Sequence, residues 1–286
     1  MRRTFGKRTF DFSRAAAVMA IINRTPDSFY DRGAHFALDA ALAAADRALA
    51  EGADWLDVGG VKAGPGPEVG ETEELERVLP VVEALRARTD AVISVDTFRS
   101  GVARRVLAAG ADVVNDPSGL HDPELATVTA EQGGGLVVMH TGGPPRTRPH
   151  RSAYADVVAD VKGFLAERAA LARHRGVPAE RIVVDPGHDF HKNTWHSLEL
   201  TRRLGELTEL GYPVLVALSN KDFIGETLDV PLEQRIEGSL AAAVVSVLNG
   251  ASIVRVHEVG PTVRAVRMAE AIIGRRPPAT PRRGLA

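Results

Sequence analysis

The sequence predicts a single (β/α)8 barrel of the α/β class, on three observations. Short runs rich in Val and Ile alternate with longer Ala/Leu segments of helical period. The alternation recurs eight times along the chain. It fills one stretch of about 250 residues without a linker, the ordinary size of such a barrel. An open doubly wound sheet is the other arrangement of such units, but the first unit lacks the Gly-rich dinucleotide fingerprint.

In order, the predicted strands are Ala17 to Asn23, Asp54 to Gly59, Val92 to Asp96, Asp112 to Asn115, Leu136 to His140, Ile182 to Asp185, Val214 to Ser219 and Ile253 to His257. Helical segments follow them, among them Leu38 to Glu51, Thr72 to Arg88, Ser100 to Ala109, Tyr154 to Arg175 and Leu232 to Leu248. Residues 1–16 are expected to cap the barrel, 17–274 to form it, and 275–286, with four Arg and three Pro, to be a mobile tail. The start is basic (Arg2, Arg3, Lys7, Arg8), but the apolar run from Ala15 to Ile22 is short and leads into Asn23 without a small-residue cleavage pattern. No signal peptide is expected. The longest uncharged stretch, Gly238 to Val254, is interrupted by Ser239, Ser246, Asn249, Gly250 and Ser252, so no membrane helix is predicted.

Composition narrows the function. The 286 residues carry 35 Lys and Arg against 37 Asp and Glu, a formal charge of −2. That balance gives no electrostatic case for binding nucleic acid or an anionic membrane surface. The absence of Cys excludes disulfides, thiolate zinc sites and cysteine nucleophiles, and fits a reducing compartment, the cytoplasm being expected.

Each predicted strand ends in a polar group: Asn23, Asp57, Asp96, Asn115, His140, Asp185, Ser219 and His257. Barrel active sites lie at the C-terminal ends of the strands, so these groups are expected to converge on one cavity. Period-two alternation puts Ser94 with Asp96, Val183 with Asp185, Ala217 with Ser219 and Lys221, and Ile253 with Arg255 and His257, each set on one side of its strand. Arg255 and His257 at the end of the eighth strand predict an anion site, against the alternative that Arg255 pairs with an acid such as Glu258. Asp96, Asn115, Asp185 and Lys221 offer acceptors and donors for a flat heterocycle with a guanidine-like edge, unless Asp185 pairs with Lys221. His188, Asp189, His191 and His196 are read as scattered loop residues rather than a transition-metal site, and His140 as either a ligand contact or a satisfied core residue.

Taken in order, the segments Asn23-Arg24-Thr25-Pro26-Asp27-Ser28-Phe29, Asp57-Val58-Gly59-Gly60, Ile93-Ser94-Val95-Asp96-Thr97, Asn115-Asp116, Met139-His140, Asp185-Pro186-Gly187, Ser219-Asn220-Lys221 and Arg255-Val256-His257 resemble dihydropteroate synthase. The resemblance runs from about residue 17 to residue 270, and its first segment is the most specific. It implies a barrel, usually a homodimer, that joins 6-hydroxymethyl-7,8-dihydropterin pyrophosphate to p-aminobenzoate in folate synthesis and releases pyrophosphate. Carried over, Asp96, Asn115, Met139, Asp185 and Lys221 would hold the pterin. Asn23, Arg255 and His257 would hold the pyrophosphate, Asn23 through Mg²⁺, and Lys62, Pro65, Phe190 and Ser219 would face the second substrate. Asp96, Lys221 and Arg255 would be the catalytic residues. The implied reaction is dissociative and needs no covalent nucleophile.

The sequence also departs from the family pattern. The family's Gly-Gly-Glu-Ser-Thr-Arg-Pro-Gly loop reads Gly59-Gly60-Val61-Lys62-Ala63-Gly64-Pro65-Gly66, so the Glu, Ser, Thr and Arg are gone. Lys62 keeps a charge nearby, but an ammonium does not replace a planar bidentate guanidinium. Arg24 stands where Val is usual, Asn220 where Arg is usual, and Gly-Phe-Gly-Phe-Gly-Lys reads Gly187-His188-Asp189-Phe190-His191-Lys192. Two alternatives therefore accompany the synthase: a pterin-binding homologue with weak or no synthase activity, and a pterin-dependent methyltransferase type of barrel. Asn23 with the Arg255/His257 pair favours a pyrophosphate substrate over the methyltransferase.

Overall fold

The computed structural model describes residues 1–24, 38–62, 64, 66, 68–143, 146, 147 and 153–283. Strands β1 (Arg2–Phe5) and β2 (Arg8–Asp11) form an antiparallel hairpin. Then come β3 (Ala17–Asn23), β4 (Trp55–Gly59), β5 (Val92–Asp96), β6 (Val113–Asp116), β7 (Gly135–Met139), β8 (Ile182–Asp185), β9 (Leu215–Ala217) and β10 (Ile253–Val256), all parallel. They run in the order β8-β7-β6-β5-β4-β3-β10-β9, and a bridge between Val184 and Val214 closes the ring. Val184 N donates to Pro213 O at 3.0 Å across that seam.

Alternation divides each strand between two cores. Val18, Ala20, Ile22, Leu56, Val58, Ile93, Val95, Leu136, Val138 and Val254 face outward and pack with the helices in one large cluster. Met19, Trp55, Val92, Val113, Val137, Val183, Leu215 and Ile253 face the axis and fill the N-terminal half of the barrel as a second, separate cluster. Burying such side chains stabilises by about 1.5–3 kcal/mol each, so both faces favour the same register.

The hairpin β1-β2 closes that apolar end. Phe5 and Phe12 belong to the inner cluster, and Phe5 meets Trp55 edge-on at 4.8 Å between centroids. Gly6 makes the turn at φ 56, where a Cβ would stand 2.2 Å from Asp112 Oδ1, so no larger residue fits. Two four-residue strands carry too little periodicity to be read as elements from the sequence.

Among the described residues a helix follows every barrel strand, and two strands are followed by two. After β8 come Thr194–Arg202 and Gly205–Thr208, and after β9 come Asp222–Leu228 and Ile236–Leu248. The helix expected from Leu232 begins instead at Ile236, behind a 3-10 turn at Leu232–Gln234 that follows Pro231. Among the described residues no helix is long and apolar enough to cross a membrane.

Candidate functional site at the C-terminal end of the barrel

Two residues beyond the apolar layer, the same strands change chemistry. Trp55 is succeeded by Asp57, Val92 by Ser94 and Asp96, Val113 by Asn115, Val137 by Met139, Val183 by Asp185, and Ile253 by Arg255. Pairing puts Asp57 opposite Ser94, Asp96 opposite Asn115 and Met139 opposite Asp185. The polar groups therefore form a continuous layer.

Arg255 is its centre. Its Nε donates to Asp57 Oδ2 at 2.6 Å and its Nη2 to Asp96 Oδ2 at 3.1 Å, while Asn115 Nδ2 donates to the same Asp57 oxygen at 3.1 Å. Arg255 thus pairs across the barrel mouth with Asp57 and Asp96, where the sequence had left Glu258 as a partner. Burial opposes its charge, but Asp57 and Asp96 together hold the guanidinium above its ordinary value. Burial pushes the Asp96 carboxyl up to about 7, against the pull of Arg255 and with the push of Asp57. Buried charges of this kind persist only when paired. Asp57 Oδ1 and Ser94 Oγ are buried without a hydrogen-bond partner among the described residues, two polar atoms in one layer that a bound molecule could satisfy.

Asp185 and Lys221 face each other in charge without forming a direct pair within ion-pair distance among the described residues. Asp185 Oδ1 accepts from Gly187 N at 2.7 Å, and Lys221 Nζ donates to His188 O and lies 4.7 Å from the Phe190 ring centroid. Burial raises the Asp185 carboxyl and lowers the Lys221 ammonium, each partly offset by the other's charge. Met139 is buried beside Asp185. At the rim, Ser219 Oγ bonds His257 Nδ1 at 3.1 Å and Glu258 Oε2 at 3.0 Å. Asn23 ends β3 beside Gly59, and a Cβ on Gly59 would stand in ordinary contact with its amide oxygen, at 3.4 Å.

The departures have visible consequences. Pro80 cannot donate to Glu76 O within the helix Glu71–Arg86, and Arg24 Nη1 donates to that carbonyl at 3.2 Å and to Arg77 O at 2.7 Å. Arg24 therefore braces the exit of β3 against this helix. Asn220 adopts φ 62, a conformation Asn tolerates, and its amide donates to Glu258 Oε1 at 3.0 Å. Lys62 is half-buried next to Gly64, and Pro65 lies outside the described residues.

Two residues need correction or addition. His140 does not converge with the other strand ends: it follows inward-facing Met139 and so points outward, where its Nδ1 meets Lys192 Nζ at 2.8 Å and its ring meets Phe164 edge-on. Burial, with the charge of Lys192, lowers His140 to about 3, so the ring stays neutral. Asp57 is expected from the sequence among the converging strand ends but is given no specific role there; the structure shows that it joins Asn115 to Arg255. Of the loop histidines, His188 Nε2 pairs with Thr201 Oγ1 and His191 Nδ1 with Thr141 Oγ1, while His196 completes a capping box with Asn193. No group of three or more metal-ligating side chains occurs among the described residues.

A closed parallel barrel with buried carboxylates, an amide, a lysine and an arginine gathered at its C-terminal mouth is the arrangement of a barrel-type enzyme family with its polar site at that end. Residues 19–257 match the family described as pterin binding enzyme, and the chain belongs to that family. It is 54% identical over 275 residues to the inactive dihydropteroate synthase 2 of Mycobacterium leprae, covering 94% of each chain. It is 41% identical over 270 residues to the dihydropteroate synthase of Synechocystis sp., covering 93% of each. Yersinia pestis dihydropteroate synthase in a sulfonamide drug complex superimposes with a TM-score of 0.92 at 40% identity, over 96% of this chain and 100% of that one.

Proposed function

We propose that this chain is a dihydropteroate synthase-type protein that binds 6-hydroxymethyl-7,8-dihydropterin pyrophosphate at the barrel mouth, the family reaction being its condensation with p-aminobenzoate. The observation that carries the reading is the layer in which Asp57, Asp96, Asn115 and Arg255 are mutually bonded beside Asp185 and Lys221. In it, Asp185 accepts from the pterin ring N–H and exocyclic amine, Asn115 and Met139 line the ring, and Lys221 donates to the ring carbonyl. Arg255 and His257 take the pyrophosphate, Arg255 exchanging one of its carboxylates for phosphate oxygens.

In the condensation the C–O bond to pyrophosphate breaks with its electron pair leaving on oxygen. The exocyclic CH₂ carries the positive charge, and the arylamine nitrogen adds and loses a proton. Arg255 and His257 stabilise the departing anion, and Asp96, ionised, stabilises the cation spread into the ring. Asn23, whose amide offers one hard oxygen at the end of β3, would be the residue that holds Mg²⁺. When bound there, Mg²⁺ would add charge stabilisation to the pyrophosphate.

A second reading, in which the pterin binds and is condensed weakly or not at all, is favoured by the Val61–Gly64 loop and by the relative named inactive. Phe190, Ser219, Lys62 and Pro65 would form the second-substrate wall, and the loop there lacks the family's Ser, Thr and Arg. Loss of such positioning groups costs about 10²-fold in rate. The stripe of exposed Val245, Leu248, Met268 and Ile272 on neighbouring helices supports a homodimer, and the cysteine-free sequence supports a cytoplasmic setting. Calorimetry with the pterin pyrophosphate, then a steady-state assay with p-aminobenzoate and Mg²⁺, separates the cases. Binding without turnover rejects the synthase, and no binding rejects both pterin readings.

A further inference from the structure

We propose that Asp189 is the positioning residue of Lys221: it aims the carbonyl that receives the Lys221 ammonium, ties down the helix that starts after it, and adds a countercharge from a second loop. Asp189 holds φ 64, a left-handed conformation costly for a side-chain-bearing residue and better tolerated by Asp and Asn. That conformation is maintained by a closed ring of bonds. Asp189 N donates to Ser197 Oγ at 3.2 Å, and Ser197 Oγ donates back to Asp189 Oδ1 at 2.9 Å. Ser197 is fully buried in the helix Thr194–Arg202, so the ring has a rigid base.

The N–H and C=O of a trans peptide point in opposite directions. Anchoring the Asp189 N–H on Ser197 therefore turns His188 O the other way, and His188 O is the acceptor that Lys221 Nζ meets. The second carboxylate oxygen, Oδ2, accepts from Phe223 N at 3.2 Å in the first turn of the helix Asp222–Leu228. That helix starts directly after Lys221, which gives it no side-chain cap. Asp189 supplies the missing cap from another loop, tying the base of Lys221 to the peptide that holds its tip.

The charges around Lys221 agree with this arrangement. Asp185 faces it from the end of β8, His188, Asp189 and Lys192 from the loop after β8, Arg255 from β10, and Asp222 from the helix that follows it. Burial lowers the ammonium, and the charges of Asp189 and Asp185 counter it.

The test uses the full chain with ¹³C-labelled lysine. Lys7, Lys62, Lys162, Lys192 and Lys221 are its only lysines, and Lys221→Met assigns the resonance. Wild type, Asp189→Asn, Ser197→Ala and Asp189→Gly are titrated without ligand; Asn keeps the left-handed backbone and removes the charge, and Gly fits φ 64 should Asn fold poorly. The Lys221 midpoint is expected to fall by about one pH unit in both Asp189 variants and to change little in Ser197→Ala. An unchanged midpoint in Asp189→Asn and Asp189→Gly overturns the proposal.

A second arm rests on the pterin-binding reading: calorimetry with the pterin pyrophosphate across pH. The alkaline limb of binding is expected to move down by about the same one unit in Asp189→Asn, whereas Ser197→Ala weakens binding about equally at every pH. Absence of binding by the wild type overturns the pterin reading and leaves the lysine titration to decide the role of Asp189. A uniform loss in Asp189→Asn, with no shift of the limb, reduces Asp189 to a structural part and overturns the charge assignment.

Discussion

The two ends of the barrel are built from the same strands and differ in every physical respect. At the N-terminal end Met19, Trp55, Val92, Val113, Val137, Val183, Leu215 and Ile253 pack under the hairpin, without an ionisable group in that cluster. Two to four residues further along, the same inward column carries Asp57, Asp96, Asn115, Asp185 and Arg255. The first end stabilises by excluding water. The second spends stability to keep charges buried and paired, so perturbing either end should move a different observable.

The largest effect is expected from Trp55→Ala, which empties the apolar end and should cost about 3–5 kcal/mol in urea unfolding. Pterin pyrophosphate binding by the folded fraction should stay within about twofold, and a large loss would mean the two ends are coupled. Asp185→Ala is the mirror experiment. It should abolish detectable pterin pyrophosphate binding, a loss of at least about 100-fold or 2.7 kcal/mol by calorimetry. Its unfolding midpoint should not fall, because the lost group is a carboxyl that burial disfavours in its charged form.

The pH dependence of stability separates the ends without a ligand. The Asp96 carboxyl is raised from 3.8 to about 7, so the folded state binds more protons than the unfolded state between those values. Its contribution is fully present below about 3.8 and is lost as pH rises through about 7. Asp96→Asn should remove this fall, up to about 1.4 kcal/mol per pH unit within the window, in denaturation curves collected from pH 4 to 8. Trp55→Ala should leave the slope intact. His140 gives the opposite sign on the outer face. It is lowered from 6.5 to about 3, so its contribution is present above 6.5 and is lost as pH falls toward about 3, and His140→Asn should flatten that acid limb. The smallest effect is expected from Lys62→Ala: unchanged pterin binding and a several-fold change confined to p-aminobenzoate, read as its KM or, without turnover, its Kd in the ternary complex.

Much of the fold was legible because a strand's period of two and a barrel's fixed strand spacing both leave marks in a linear sequence. β3, β5 and β8 occupy the stretches read for them, and Asp96, Asp185 and Arg255 lie on the side of the strand that alternation assigns. The hairpin β1-β2 was not read as strands, since four-residue segments without repeated alternation resemble loops. His140 was grouped with the converging strand ends, yet it takes the other reading the sequence left open, a satisfied core residue: a polar residue at a strand end looks the same in sequence whether it is the last inward or the first outward position.

What the sequence by itself determined, then, is the barrel, the order of its strands and which residues share its axis, because these follow from local periodicity. Only the tertiary structure decided who pairs with whom. Arg255 chose Asp57 and Asp96 over its neighbour Glu258, and Asp189 reached Ser197 and the first turn of the helix after Lys221. Hydrogen bonds and ion pairs act over about 3 Å in space, and closing the barrel brings together residues 198 positions apart whose proximity no local pattern records.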